Sequence, residues 1–98
     1  MDVHYTAEAR LEFLESLEHY EEQQEGLAVD FYQELLSAEQ SVKEFPEFWH
    51  KVGEAYRRKH LKRYPYSLVY QIKKDHILIV AVAPSRRKKN YWQDREGI

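Results

Sequence analysis

Ninety-eight residues, 43% hydrophobic and 14% aromatic, suffice for one domain, expected over residues 1–98, with one modest core. The absence of cysteine excludes disulfides, thiol catalysis and cysteine-ligated metal. No apolar run reaches the roughly 20 residues that span a bilayer, and Met1-Asp2-Val3-His4 lacks the basic and apolar blocks of a signal peptide, so a cytoplasmic protein is expected.

The formal charge of −2 conceals a division. Residues 1–50 hold two cations against 13 acids, a net −11, whereas residues 51–98 hold 13 cations against four acids, a net +9. The basic half suits a polyanion, either nucleic acid or an acidic peptide; equally, the two halves can neutralise each other within the fold.

In chain order, Asp2-Val3-His4-Tyr5 alternates as a short half-buried strand. Thr6 offers a helix N-cap, with Glu8 in the first turn where a negative charge meets the helix dipole. Leu11, Leu14 and Leu17, with Phe13 and Tyr20, set a helix from Ala7 to about Gln24. Its exposed face is expected to carry Glu12, Glu15, Glu18, Glu21, Glu22 and Glu25. Gly26 reads as a helix stop or turn residue. A second helix follows on the stripe Leu27, Phe31, Leu35, Ala38, Val42 and Phe45, and Pro46 ends it. The short connection makes these an antiparallel hairpin, which needs a sheet to cover.

Tyr56 to Leu61 reads as a basic strand, Lys62 to Pro65 as a turn, and Tyr66 to Lys73 as an alternating strand. After a turn at Lys74-Asp75-His76, the unbroken apolar run Ile77 to Ala83 has the pattern of a central strand buried on both faces. Pro84 and Ser85 end it, and a basic tail follows from Arg86. The fold class is α+β, in the order β-α-α-β-β-β, with a helical hairpin packed on a small antiparallel-rich sheet.

The candidate site is the cationic cluster of Arg57, Arg58, Lys59, His60, Lys62, Arg63, Arg86, Arg87, Lys88, Lys89 and Arg95. Strand alternation separates Arg58 and His60 from Arg57 and Lys59. Guanidinium groups grip phosphates with paired hydrogen bonds. The rings of Tyr64, Tyr66, Tyr91 and Trp92 either stack on unpaired bases or pack as core and rim. A metal-free ribonuclease needs a base, an acid and clamping cations. Here His60 could move protons, Arg58 and Arg86 could hold the charged transition state, and Tyr91 could act as an acid if nearby cations lower its pKa. The five histidines show no metal-ligand spacing and the three glycines form no phosphate-cradling loop, so no metal or other cofactor is expected.

The run Tyr56 to Ile72, with its basic strand, Tyr64-Pro65-Tyr66 turn and Val69-Tyr70, resembles the central signature of the RelE/ParE superfamily. Ile79 to Ala83, then Arg86-Arg87 and Tyr91-Trp92-Gln93-Asp94-Arg95, resembles its last strand and Arg-rich tail. Tyr5 and Ala9, with Gly26-Leu27, fit its front half. The resemblance implies the toxin of a type II toxin–antitoxin pair, whose antitoxin covers the basic surface and holds the toxin in a hetero-oligomer. The RelE-like branch cleaves mRNA in the ribosomal A site, and the ParE-like branch inhibits DNA gyrase.

Against the nuclease branch, Arg58 and His60 stand where two Lys are expected and Ser67 stands where an Arg is expected. Arg86 meets the Arg after the last strand, and Tyr91 or Trp92 the late Tyr. Pro65-Tyr66 and Tyr91-Trp92 resemble the ParE or plasmid-stabilisation subgroup, from which Pro84 and Lys89 depart. The resemblance therefore implies a ParE-like gyrase inhibitor first, an RNA-binding mRNA endoribonuclease second, and a non-toxic binding module of the same fold third. Target or antitoxin contacts are expected at Arg57, Arg58, Lys59, Arg63, Arg86, Arg87, Trp92 and Arg95. Catalysis, in the nuclease case, is expected at Arg58, His60, Arg86 and Tyr91.

Overall fold

In the computed structural model, which describes residues 1–95, a first strand β1 (Asp2–Tyr5) leads into two helices, α1 (Ala7–Gln23) and α2 (Leu27–Glu44). Four strands complete the chain: β2 (His50–Val52), β3 (Tyr56–His60), β4 (Tyr66–Ile72) and β5 (His76–Pro84). They form one mixed sheet in the order β1-β5-β4-β3-β2, antiparallel except for the parallel pair β1 and β5. The architecture is the expected α+β hairpin on a sheet, with one strand more than the sequence pattern gives. That extra strand, β2, has three residues and lies at the edge of the sheet, too short to show alternation.

Thr6 caps α1 as expected. Its hydroxyl oxygen accepts the Ala9 N–H at 3.0 Å and donates to the Val80 carbonyl, so one buried side chain ties the helix start to β5. Gly26 has φ 86°, a left-handed conformation that costs glycine little, and the Glu21 carboxylate accepts the N–H groups of Gly26 and Ala28 around that turn. In α2 the stripe buries Phe31, Leu35, Ala38 and Val42 against Leu68, Tyr70, Ile77, Ile79 and Val82. Phe45 falls outside the core, because the helix ends at Glu44 and its side chain turns to solvent.

In α1 the buried line is Ala9, Ser16 and Tyr20, flanked by Phe13 and Leu17, rather than the leucine series. Leu11 and Leu14 are more than half exposed. Ser16 is tolerated inside because its hydroxyl donates to the Phe13 carbonyl at 2.7 Å.

β5 is buried on both faces. One face meets the helices; the other, formed by Leu78, Val80, Ala81 and Ala83 with Val69 of β4, is sealed by Trp92 of the tail. Opposite Val69 and Tyr70 the ladder skips one residue of β5: Val69 faces Ala81 and Tyr70 faces Ile79, which leaves Val80 in a bulge. The bulge places Val80 and Ala81 on the same face, beneath Trp92.

Among the described residues, no helix is long and apolar enough to cross a membrane.

A cationic cleft on the sheet face opposite the helices

Register and alternation set the site. Arg58 pairs with Val69 and His60 with Ser67, on the face away from the helices, while Arg57 pairs with Tyr70 and Lys59 with Leu68 on the helix side. The turn after β5 then carries Arg87 and Lys89 round to the same face. Arg58, His60, Ser67, Arg87, Lys89 and Trp92 line a cavity of about 190 Å³, walled by Ala83 and Pro84.

Arg58 lies 5.2 Å from the centre of the Trp92 ring, a cation–π contact. Its Nε and the Trp92 indole N–H are both buried without a hydrogen-bond partner among the described residues. Ser67 is buried, and its hydroxyl lies 2.8 Å from His60 Nδ1. Partial desolvation against the sheet holds the His60 pKa below its ordinary value, helped by the charges of Arg58, His50 and Lys59, so the ring is neutral at pH 7.

The tail is fastened from beneath by Glu12. Its carboxylate accepts Arg95 NH1 at 2.9 Å and NH2 at 3.1 Å, the Tyr91 hydroxyl at 2.7 Å and the Val82 N–H at 3.0 Å. Arg95 also donates to the Val80 carbonyl at 2.9 Å. β1 pairs with β5 only as far as Tyr5 and Ile79, and the Thr6 N–H donates to the Ile79 carbonyl. Past that point, Glu12 and Arg95 occupy the backbone groups that a longer β1 would have paired. Glu12, expected on the exposed acidic face, is therefore buried to 11% side-chain exposure.

The acid role expected of Tyr91 meets the opposite condition. Burial raises its pKa, and the hydrogen bond and charge of Glu12 add to that, outweighing Arg95 and Arg87. Arg87 and Arg95 stack on its ring instead, at 4.1 and 5.0 Å from its centre.

The remaining expected residues lie apart from the cleft. Arg57 donates to the carbonyls of Glu47 and Trp49, and the Lys59 ammonium sits 4.1 Å over the Trp49 ring. Arg63 pairs with Asp30 at 2.8 Å and Glu34 at 3.1 Å on α2. Arg86, next to Arg87 in sequence, lines a separate hollow with His19, Tyr20 and Tyr66 on the helix side. Tyr64 and Tyr66 pack edge-on against Tyr20 and Phe31, so of the two readings of these rings the packed one describes them. No group of three or more His, Cys, Asp or Glu residues suited to a metal ion exists among the described residues.

The family model described as the ParE toxin of the type II toxin–antitoxin system, parDE, matches residues 3–89. The chain belongs to the ParE toxin family. A solved structure described as the chromosomal ParDE TA system from P. aeruginosa shares this ParE-family fold, with a TM-score of 0.69 at 19% identity over 86% of this chain and 95% of that one. No curated protein sequence matches the chain. Membership makes it a type II toxin, the component that an antitoxin partner accompanies.

Proposed function

We propose that this ParE-type toxin arrests growth in the cytoplasm by inhibiting DNA gyrase, and that its antitoxin neutralises it by covering the cationic cleft. The observation that carries the choice of target is the state of the residues a ribonuclease would need. Tyr91 is held protonated and committed to Glu12, and Ser67 lacks the charge that an arginine would bring to a phosphodiester. What remains is a neutral His60 imidazole bonded to Ser67, with no acid to pair with it, and Arg58, Arg87 and Lys89 around it, which favours a binding surface over an acid–base pair. Arg58 and Arg87 carry the contact with target and antitoxin, and Trp92 shapes it.

The test is induction of the chain in a bacterial host, with growth followed and total RNA mapped for new 5′ ends. Growth arrest with intact transcripts and an induced DNA-damage response is the expected result. Cuts inside translated codons would make it a ribosome-dependent ribonuclease, and unimpeded growth at good soluble expression would make it a non-toxic binding module.

A further inference from the structure

Arg58 and Trp92 line one cavity, and each carries a buried N–H donor with no partner among the described residues, Nε and the indole N–H; Trp92 as a whole is 1% exposed. A buried donor left without a partner carries the uncompensated cost of its lost hydration, so two such residues side by side in one wall mark a place for an acceptor. The cavity adds positive charge at its rim through Arg87 and Lys89, and its wall of Ala83 and Pro84 is apolar. A carboxylate brings two oxygens for two N–H donors, and its aliphatic stem suits that wall. A phosphate would bring more negative charge toward a tail already fastened by the Glu12 carboxylate.

We propose that this cavity is the seat for a single carboxylate side chain, Glu or Asp, from the antitoxin, with Arg58 and Trp92 as its paired donors and Arg87 and Lys89 closing over it. The inference rests on reading the chain as the toxin of an antitoxin-neutralised pair, and it assigns the neutralising contact to one acidic residue in one place. Arg57 and Lys59, on the helix side of the sheet, and Arg63, paired with α2, lie outside this cavity and serve no part in it.

The experiment uses the full chain, isotope-labelled, and follows its two tryptophan indole N–H resonances by NMR at fixed ionic strength. The Trp49 indole N–H donates to the Ser41 carbonyl at 3.1 Å and provides the internal control. The probes are the capped peptide acetyl-Ala-Glu-Ala-amide, its Gln counterpart, and inorganic phosphate. The expected result is a saturable shift of the Trp92 signal alone, with the Glu peptide binding at least about tenfold tighter than the Gln peptide. The exposed variant Lys89→Ala weakens that binding severalfold with an unchanged spectrum elsewhere.

Equal binding of the Glu and Gln peptides, no Trp92 shift, or tighter binding of phosphate than of the Glu peptide would each overturn the assignment. Gyrase inhibition is read separately: a chain that inhibits gyrase but ignores the Glu peptide loses this inference alone.

Discussion

Glu12 of α1 and Arg95 of the tail form a two-pronged ion pair, at 2.9 and 3.1 Å, across 83 positions of sequence. Around it gather the Tyr91 hydroxyl, the Val82 N–H and the Val80 carbonyl. The pair closes the exposed end of the β5 ladder and holds Trp92 over the sheet, so the cleft depends on a residue that lies outside it.

Glu12→Ala leaves the Tyr91 hydroxyl and the Val82 N–H without their acceptor and the Arg95 guanidinium with the Val80 carbonyl alone. The expected loss is about 3 kcal/mol in urea denaturation, with the tail cleaved faster by protease. Combining Glu12→Gln with Arg95→Gln should cost clearly less than the sum of the single changes, since each removes the same interaction. Glu15→Gln, on the exposed face of the same helix, should stay within about 0.5 kcal/mol of the parent.

Phe31→Ala in α2 removes a fully buried ring from the junction of Tyr20, Tyr64 and Tyr66. It should destabilise the chain by about 4 kcal/mol. Leu14→Ala in α1, at a position 54% exposed, should change stability by no more than about 0.5 kcal/mol. Equal losses at the two positions would contradict the packing described.

The contrast between those positions bears on how much the sequence revealed. The stripe of α2 was legible because its apolar residues outnumber every other reading of that face, and β5 because no polar residue interrupts it. In α1 the expected Tyr20 reaches the core with Phe13 and Leu17 beside it, but two of the three leucines do not: the core there takes Ala9 and Ser16 and leaves Leu11 and Leu14 outside. Nothing distinguishes Glu12 from its neighbouring acids until β1 proves too short and the tail folds back. The division of Arg58 and His60 from Arg57 and Lys59 followed from strand alternation. The separation of Arg86 from Arg87 followed from no periodicity, since both lie in a turn.

His60 sets a pH dependence. Its pKa is lower in the folded chain than the ordinary 6.5, so the folded state resists its protonation. Above 6.5 the ring is neutral in both states and exerts no effect. As pH falls through 6.5 the unfolded chain takes up the proton first, and stability drops until the folded pKa is passed. Arg58, His50 and Lys59 are the charges that oppose the proton. His60→Gln should remove this component of the acid destabilisation and keep a side chain that can bond Ser67. Denaturation midpoints of parent and variant at pH 7.5 and 5.5 check it, and identical shifts in the two proteins would contradict it.

The most direct test of the cleft as the toxic surface is a DNA supercoiling assay with purified gyrase and the purified chain, run beside Arg87→Ala and Lys74→Ala. Arg87 lines the cleft, whereas Lys74 is an exposed cation in the turn between β4 and β5. The expected result is inhibition by the parent and by Lys74→Ala, with at least a tenfold weaker effect from Arg87→Ala of equal stability, a difference of about 1.4 kcal/mol in contact energy. Gyrase that supercoils undisturbed by the parent chain, or is inhibited equally by Arg87→Ala, would contradict it.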